Sequence, residues 1–337
     1  MAPRSLEPVS RVSVYSRIVG GICLAGLGYL AQPHSDQGVR LRVIAISFGI
    51  ALVVSGWRAE IIPRGRQLLV AAGVGIFAGL LTAVIVIRRV ENLPAGYAYP
   101  TGFTAPRTYA FKYEEVRLEA EDGTSLSAWF VPAPQSTRVL LVLHGSAVNL
   151  GYLGHGLLES LTRLGVNVLA LDYRGYGKSG GKPDVDGVCM DAEAAWRYLT
   201  NQRKFRPSDV FIHGQSLGGA VAIDLASRHR CGGVIAESTF TSFREAVRLD
   251  LDIPLLEYAL KKRLNSIETI RNVRAPVLLV HGTKDSAIPF EMGKRLFAAA
   301  PGPKAFYAVE NADHDNPFIE GGQAYRDRLL RFILTGS

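Results

Sequence analysis

Ser216 stands in Gly214-Gln215-Ser216-Leu217-Gly218-Gly219, between the apolar run Val210-Phe211-Ile212 and the segment Ala220-Val221-Ala222-Ile223-Asp224-Leu225-Ala226. The first run reads as a buried strand and the second as a buried helix. Strand, Gly-x-Ser-x-Gly and helix is the context of a nucleophile elbow, a sharp turn that exposes a serine hydroxyl above a sheet. A side chain at Gly214 or Gly218 would block that turn. A serine hydroxyl is a weak nucleophile until a base takes its proton, and the base needs a third group to orient it. Two later loops offer such groups. His281-Gly282-Thr283-Lys284-Asp285 follows the apolar run Val277 to Val280, and Asn311-Ala312-Asp313-His314-Asp315 follows Lys304 to Val309. Ser216, Asp285, His314 is one of the chain orders in which serine triads occur. Alone, Asp285 reads as a turn aspartate or helix cap and His314 as a loop histidine. Together, each after a strand, they specify acyl transfer.

The elements that must position these groups are legible in the same way. Glu115 to Ala120 alternates at period two, and Glu121-Asp122-Gly123 turns the chain into Ser125 to Val131, a hairpin. Continuous apolar runs follow at Arg138 to Leu143, Val166 to Leu171, Val210 to His213, Gly233 to Ala236 and Val277 to Val280, with Lys304 to Val309 last. Such runs mark strands buried on both faces. Helical stretches such as Asp186 to Asn201 and Pro289 to Ala300 separate the later ones. The expected fold class is α/β, an eight-stranded, mostly parallel, doubly wound sheet with a small cap in Thr239 to Arg274. Sites on such sheets lie at the carboxyl ends of the strands. The turn His144-Gly145-Ser146 falls at such an end, where backbone N–H groups can face a developing oxyanion.

Several other features carry less. Gly177-Lys178-Ser179 suggests a phosphate loop, but that pattern needs glycine at position 172, which is Asp172. Cys23, Cys189 and Cys231 have no metal-ligand or disulfide-framework spacing, and no cofactor fingerprint is present, so no cofactor and no metal are expected. His144, His213 and His281 each precede a glycine at a strand end, where packing is the expected role, and His34, His155 and His229 belong to no constellation. Glu237, after the sixth strand, rivals Asp285 as the acid.

The net charge of +8 is uneven, with ten arginines and four acidic residues in the first 91 positions. No basic stripe with interleaved aromatics occurs, so nucleic acid is not an expected partner. Leu68 to Ile87 is a run of twenty residues without a charge, about 30 Å of helix and enough to cross a bilayer core. Val43 to Trp57 and Ile18 to Ala31 are shorter runs flanked by arginines. The expected organisation is a membrane region over 1–90 with two or three transmembrane helices, a linker over 91–111, and a catalytic domain over 112–337. The expected localisation is therefore a multi-pass membrane protein. With three spans the positive-inside rule turns the catalytic domain out of the cytoplasm, and with two it turns the domain inward.

Taken together, His144-Gly145, Asp172 through Ser179, Gly214 through Gly219, Glu237-Ser238-Thr239-Phe240-Thr241-Ser242, Gly282-Thr283-Lys284-Asp285 and His314 resemble the serine-dependent α/β-hydrolase superfamily. The resemblance covers 113–335 and is greatest to a membrane-anchored branch similar to serine aminopeptidases and monoacylglycerol lipases. Relatives often carry Asn after His-Gly, where this chain has Ser146. The resemblance implies Ser216 as nucleophile, His314 as general base and acid, and Asp285 as the group that orients the imidazole. It implies the backbone N–H groups of Ser146 and Leu217 as oxyanion donors. The expected function is cleavage of carboxylic esters, including lipid esters or thioesters, through an acyl-enzyme. The expected partners are a lipophilic acyl ester and the membrane. A serine aminopeptidase or amidase, and a non-catalytic membrane scaffold on the same fold, are the alternatives.

Overall fold

The computed structural model describes residues 109–154, 156–250 and 263–337. The three apolar runs between Ile18 and Ile87, His34 and His155 lie outside the described residues. Among the described residues, no helix is long and apolar enough to cross a membrane.

Eight strands form one sheet: β1 (Glu114–Glu119), β2 (Ser125–Val131), β3 (Val139–Leu143), β4 (Asn167–Asp172), β5 (Val210–Gln215), β6 (Gly233–Glu237), β7 (Val277–Gly282) and β8 (Lys304–Val309). Their spatial order is β1-β2-β4-β3-β5-β6-β7-β8. The pairs β1–β2 and β2–β4 are antiparallel, and all later pairs are parallel. The reason lies in the strand sequences. β3 is Val-Leu-Leu-Val-Leu and buried at every position, as a central strand covered on both faces must be. Each fully buried leucine there contributes about 1.5–3 kcal/mol. β1 alternates charged and apolar residues and is mostly exposed, and its glutamates discourage pairing at the open edge.

Helices cover both faces. On one, Tyr325, Leu329, Phe332 and Ile333 of the last helix (Gly322–Thr335) join Leu140, Val142, Val168, Ala170, Ile235 and Val280 in one core. Their spacing of four, seven and eight residues forms the apolar stripe of a helix lying on a sheet. On the other lies the helix Leu217–Arg228, packed on β5, β6 and β3 and buried from Leu217 to Ile223. Its small residues permit that approach: a Cβ at Gly219 would stand 2.6 Å from the Thr239 Cβ. Between β6 and β7 the chain forms the helices Phe243–Asp250 and Ser266–Thr269.

The described chain begins against this domain. Tyr109, at the end of the expected linker, packs its ring 5.1 Å from that of Trp129, and Tyr113 stacks on Trp129 at 4.2 Å. The Tyr109 hydroxyl donates to the Gly151 carbonyl at 3.2 Å.

Candidate active site

Ser216 forms the whole connection between β5 and the helix Leu217–Arg228, with φ 55° and ψ −116°. That conformation is unfavourable for any side-chain-bearing residue, costing roughly 1–3 kcal/mol, and it persists only where the surroundings impose it. The surroundings do so here. The Ser216 N–H donates to the Glu237 carbonyl at 2.9 Å, and the Ser216 carbonyl accepts from Thr239 Oγ1 at 2.7 Å. The flanking glycines are needed for space: a Cβ on Gly214 would lie 2.0 Å from the Gly218 carbonyl oxygen, and one on Gly218 would lie 2.0 Å from that of Leu143.

The loops after β7 and β8 converge on one another. His314 Nδ1 lies 3.1 and 3.0 Å from the two carboxylate oxygens of Asp285. The Asp285 side chain is fully buried and that of His314 is 16% exposed. Oδ1 of Asp285 also accepts the backbone N–H groups of Ile288 (2.7 Å) and Ala287 (3.1 Å). Asp313 Oδ1 accepts from the Ser286 N–H and hydroxyl and from the His314 N–H, tying the two loops together. The elbow is joined to this pair by Gln215, whose Nε2 donates to the His314 carbonyl at 3.3 Å.

Charge and burial oppose each other in this pair. Burial pushes the Asp285 carboxyl up, but hydrogen bonds from His281, His314 and the Ile288 backbone outweigh it, holding the group well below the usual carboxylate range. Burial likewise disfavours the charged imidazole of His314, but the Asp285 carboxylate raises its pKa above the ordinary value.

Glu237, the rival acid, is occupied elsewhere. It is fully buried, Oε2 accepts from the Tyr325 hydroxyl at 2.6 Å, and the same oxygen lies 3.5 Å from His213 Nε2. The carboxylate on the His314 ring is that of Asp285. Ser146 follows β3 on the same side as the elbow: a Cβ on its neighbour Gly145 would sit 3.5 Å from the Ser216 Cβ. Leu217 opens the helix after Ser216, so its N–H belongs to the helix's amino-terminal turn.

His281 departs from the packing role expected of it. Its Nε2 lies 3.2 Å from Asp285 Oδ2 and 2.9 Å from the Ile288 carbonyl, and the ring is 1% exposed. The four-residue spacing of His281 and Asp285 was visible in the sequence. That the turn folds back so the two side chains meet was not. The Asp172 to Ser179 loop is structural: Ser179 Oγ donates to the Asp172 carbonyl at 2.6 Å and accepts the Ser127 N–H at 2.8 Å. Arg174 in this loop pairs with the buried Asp191 at 2.7 Å.

A parallel sheet reached through an antiparallel hairpin, a strained serine between β5 and a helix, and a histidine–aspartate pair after β8 and β7 define an α/β-hydrolase architecture. The comparisons agree. The family model for serine aminopeptidase, S33, matches residues 134–269. An uncharacterized protein of Mycobacterium tuberculosis is 34% identical over 221 residues, covering 65% of this chain and 78% of its own. The α/β hydrolase domain-containing protein 17C of Xenopus laevis is 35% identical over 221 residues, covering 65% of this chain and 69% of its own. Among solved structures, the Pyrococcus furiosus esterase Pf2001 superposes with a TM-score of 0.58 at 22% identity, over 68% of this chain and 98% of that one. At that identity the likeness concerns the fold alone. The chain belongs to the α/β-hydrolase superfamily.

Proposed function

We propose that the protein is a membrane-anchored serine hydrolase that cleaves carboxylic esters, lipid esters or thioesters among them, through an acyl-enzyme on Ser216. The observation that carries this reading is the pair of His314 and the buried Asp285 carboxylate, tied to the strained Ser216 elbow through Gln215. With Nδ1 donating to Asp285, the other ring nitrogen, Nε2, holds the lone pair that takes the Ser216 hydroxyl proton as Oγ attacks the ester carbonyl. The N–H groups of Ser146 and Leu217 receive the negative charge that develops on the carbonyl oxygen. The proton then passes from Nε2 to the departing alkoxide or thiolate. Water, deprotonated by the same nitrogen, releases the acid from Ser216. The uncharged run Leu68 to Ile87 supports anchoring and, with it, a lipophilic substrate.

A second reading, amide cleavage as a serine aminopeptidase, is favoured by the description of the matching family model. One experiment addresses both. The full-length protein is treated with a fluorophosphonate probe and then offered p-nitrophenyl esters of increasing chain length, an acyl thioester and aminoacyl amides. Labelling of the native protein, none of Ser216→Ala, and faster turnover of esters than amides are expected. The serine variant should lose roughly a millionfold in turnover. Undiminished labelling of Ser216→Ala would remove the nucleophile, and preference for aminoacyl amides would favour the peptidase.

A further inference from the structure

We propose that Asp313 is a positioning residue for His314: one of its carboxylate oxygens clasps Ser286 and the His314 backbone together, and so sets the reach of the imidazole toward Ser216. The proposal rests on the reading of Ser216 as nucleophile and His314 as its base.

Strands β7 and β8 pair as far as Gly282 and Val309. Two backbone bonds carry the contact on into the loops, from the Thr283 N–H to the Val309 carbonyl at 3.0 Å and from the Lys284 N–H to the Ala312 carbonyl at 2.9 Å. Among the described residues, the Lys284 bond is the last between the two loop backbones. The Asp285–His314 pair lies just beyond it, where a side chain takes over the connection. Asp313 Oδ1 accepts the Ser286 N–H at 2.8 Å, the Ser286 hydroxyl at 2.8 Å and the His314 N–H at 2.7 Å. Consecutive amides of the β7 loop therefore go to different carboxylates: that of Ser286 to Asp313, those of Ala287 and Ile288 to Asp285. The turn cannot rotate without breaking both sets.

The two aspartates divide the work. Asp285 touches the ring and fixes its tautomer, whereas Asp313 bonds the main chain from which the ring projects. The Asp313 N–H donates to Asn316 Oδ1 at 2.7 Å, which braces the clasp from its other side. Hydrogen bonds from the Ser286 and His314 backbones hold the Asp313 carboxyl below the usual carboxylate range, so the accepting oxygen is charged whenever His314 is neutral. Bonds to a charged acceptor are stronger than those to a neutral one. Such a brace matters because Nε2 must come within about 2.6–3.2 Å of the serine hydroxyl to take its proton.

The test uses the full-length protein and its Asp313→Ala, Asp313→Asn and Ser286→Ala variants, with the Asp313→Ala/Ser286→Ala double variant. Steady-state turnover of a soluble ester is measured for each. Asp313→Ala is expected to lower kcat about 10- to 100-fold with KM little changed, since a displacement of about 1 Å can cost that much. Asp313→Asn should recover most of the loss, because its amide oxygen can accept the same three bonds. The double variant should be no slower than Asp313→Ala, since the Ser286 hydroxyl acts through Asp313. Unchanged kcat in Asp313→Ala, a loss carried by KM, an asparagine variant no better than alanine, or additive losses in the double variant would each overturn the proposal. A fluorophosphonate that fails to label even the native protein would instead retire the Ser216 reading. Amide hydrogen exchange on the native protein needs no variant to fold. The Ser286 and His314 amides should be protected although Asp313 is exposed, and exchange of either at the rate of a free amide would overturn the proposal.

Discussion

The imidazole Nδ1 of His314 donates to the carboxylate of Asp285 at 3.0 Å, joining loops 29 residues apart at the ends of neighbouring strands β7 and β8. The pairing fixes the ring's tautomer. It also places a full negative charge beside the ring that, in the proposed mechanism, becomes positive when Ser216 loses its proton. The Asp285 carboxylate is in turn held ionised by the His281 ring and the turn that follows it, so the charge is present before substrate arrives.

A pH profile follows from that geometry. His314 must be neutral to act as base, so kcat/KM should rise with pH through the His314 pKa. Because Asp285 raises that pKa against the lowering by burial, the half-rise should fall above the unperturbed imidazole value of about 6.5. In Asp285→Asn the raising charge is gone and burial remains, so the limb should move to lower pH while its plateau falls. A limb that stays in place would assign the titration to another group.

The two carboxylates should separate cleanly in rate. Asp285→Asn is expected to cost roughly ten-thousandfold in kcat, because the amide favours the wrong tautomer of His314. Glu237→Gln should cost less than about tenfold, since the amide oxygen still accepts the Tyr325 hydroxyl proton now bound at 2.6 Å. Steady-state kinetics on a short ester decide it, and the reverse ranking would move the acid to β6.

Gly218→Ala tests whether the elbow needs glycine for space. Its new Cβ would meet the Leu143 carbonyl oxygen at 2.0 Å, a backbone atom that cannot rotate away. The variant should lose at least about 1–3 kcal/mol of stability, read from denaturant unfolding, together with most of the ester turnover expected under the proposed function. Native stability would show that the helix and β3 can separate.

The amino-terminal segment should govern where the enzyme meets substrate and leave the chemistry unchanged. A truncated protein starting near Glu91 keeps Tyr109 and its edge-on contact with Trp129, and is expected to be soluble and to hydrolyse short esters at close to the full-length rate. On long-chain esters or thioesters in vesicles it should be slower, because anchoring raises the local concentration of enzyme. Loss of short-ester activity would mean that the first ninety residues help build the site. Equal rates on vesicles would remove the case for a lipophilic substrate.

Much of this protein is determined within short stretches of its sequence. The period-two alternation of Glu115 to Ala120 sets an edge strand, and the unbroken apolar runs around Leu140, Leu169 and Ile212 set buried strands, because burial on one or both faces is a local demand on residue type. Gly214 and Gly218 announce the elbow for the same reason: only an absent side chain lets helix and strand backbones meet within the turn. Which distant groups meet is different. His281 looked like packing until the turn after β7 brought its Nε2 onto Asp285. Glu237 competed with Asp285 until Tyr325, 88 residues further along, took its carboxylate. The bond from His144 to the Gly145 carbonyl depends on a rotamer set by Tyr173 and Tyr176 from the next loop. Such choices are made by side-chain direction and by neighbours brought together through the sheet order, and no local pattern encodes either.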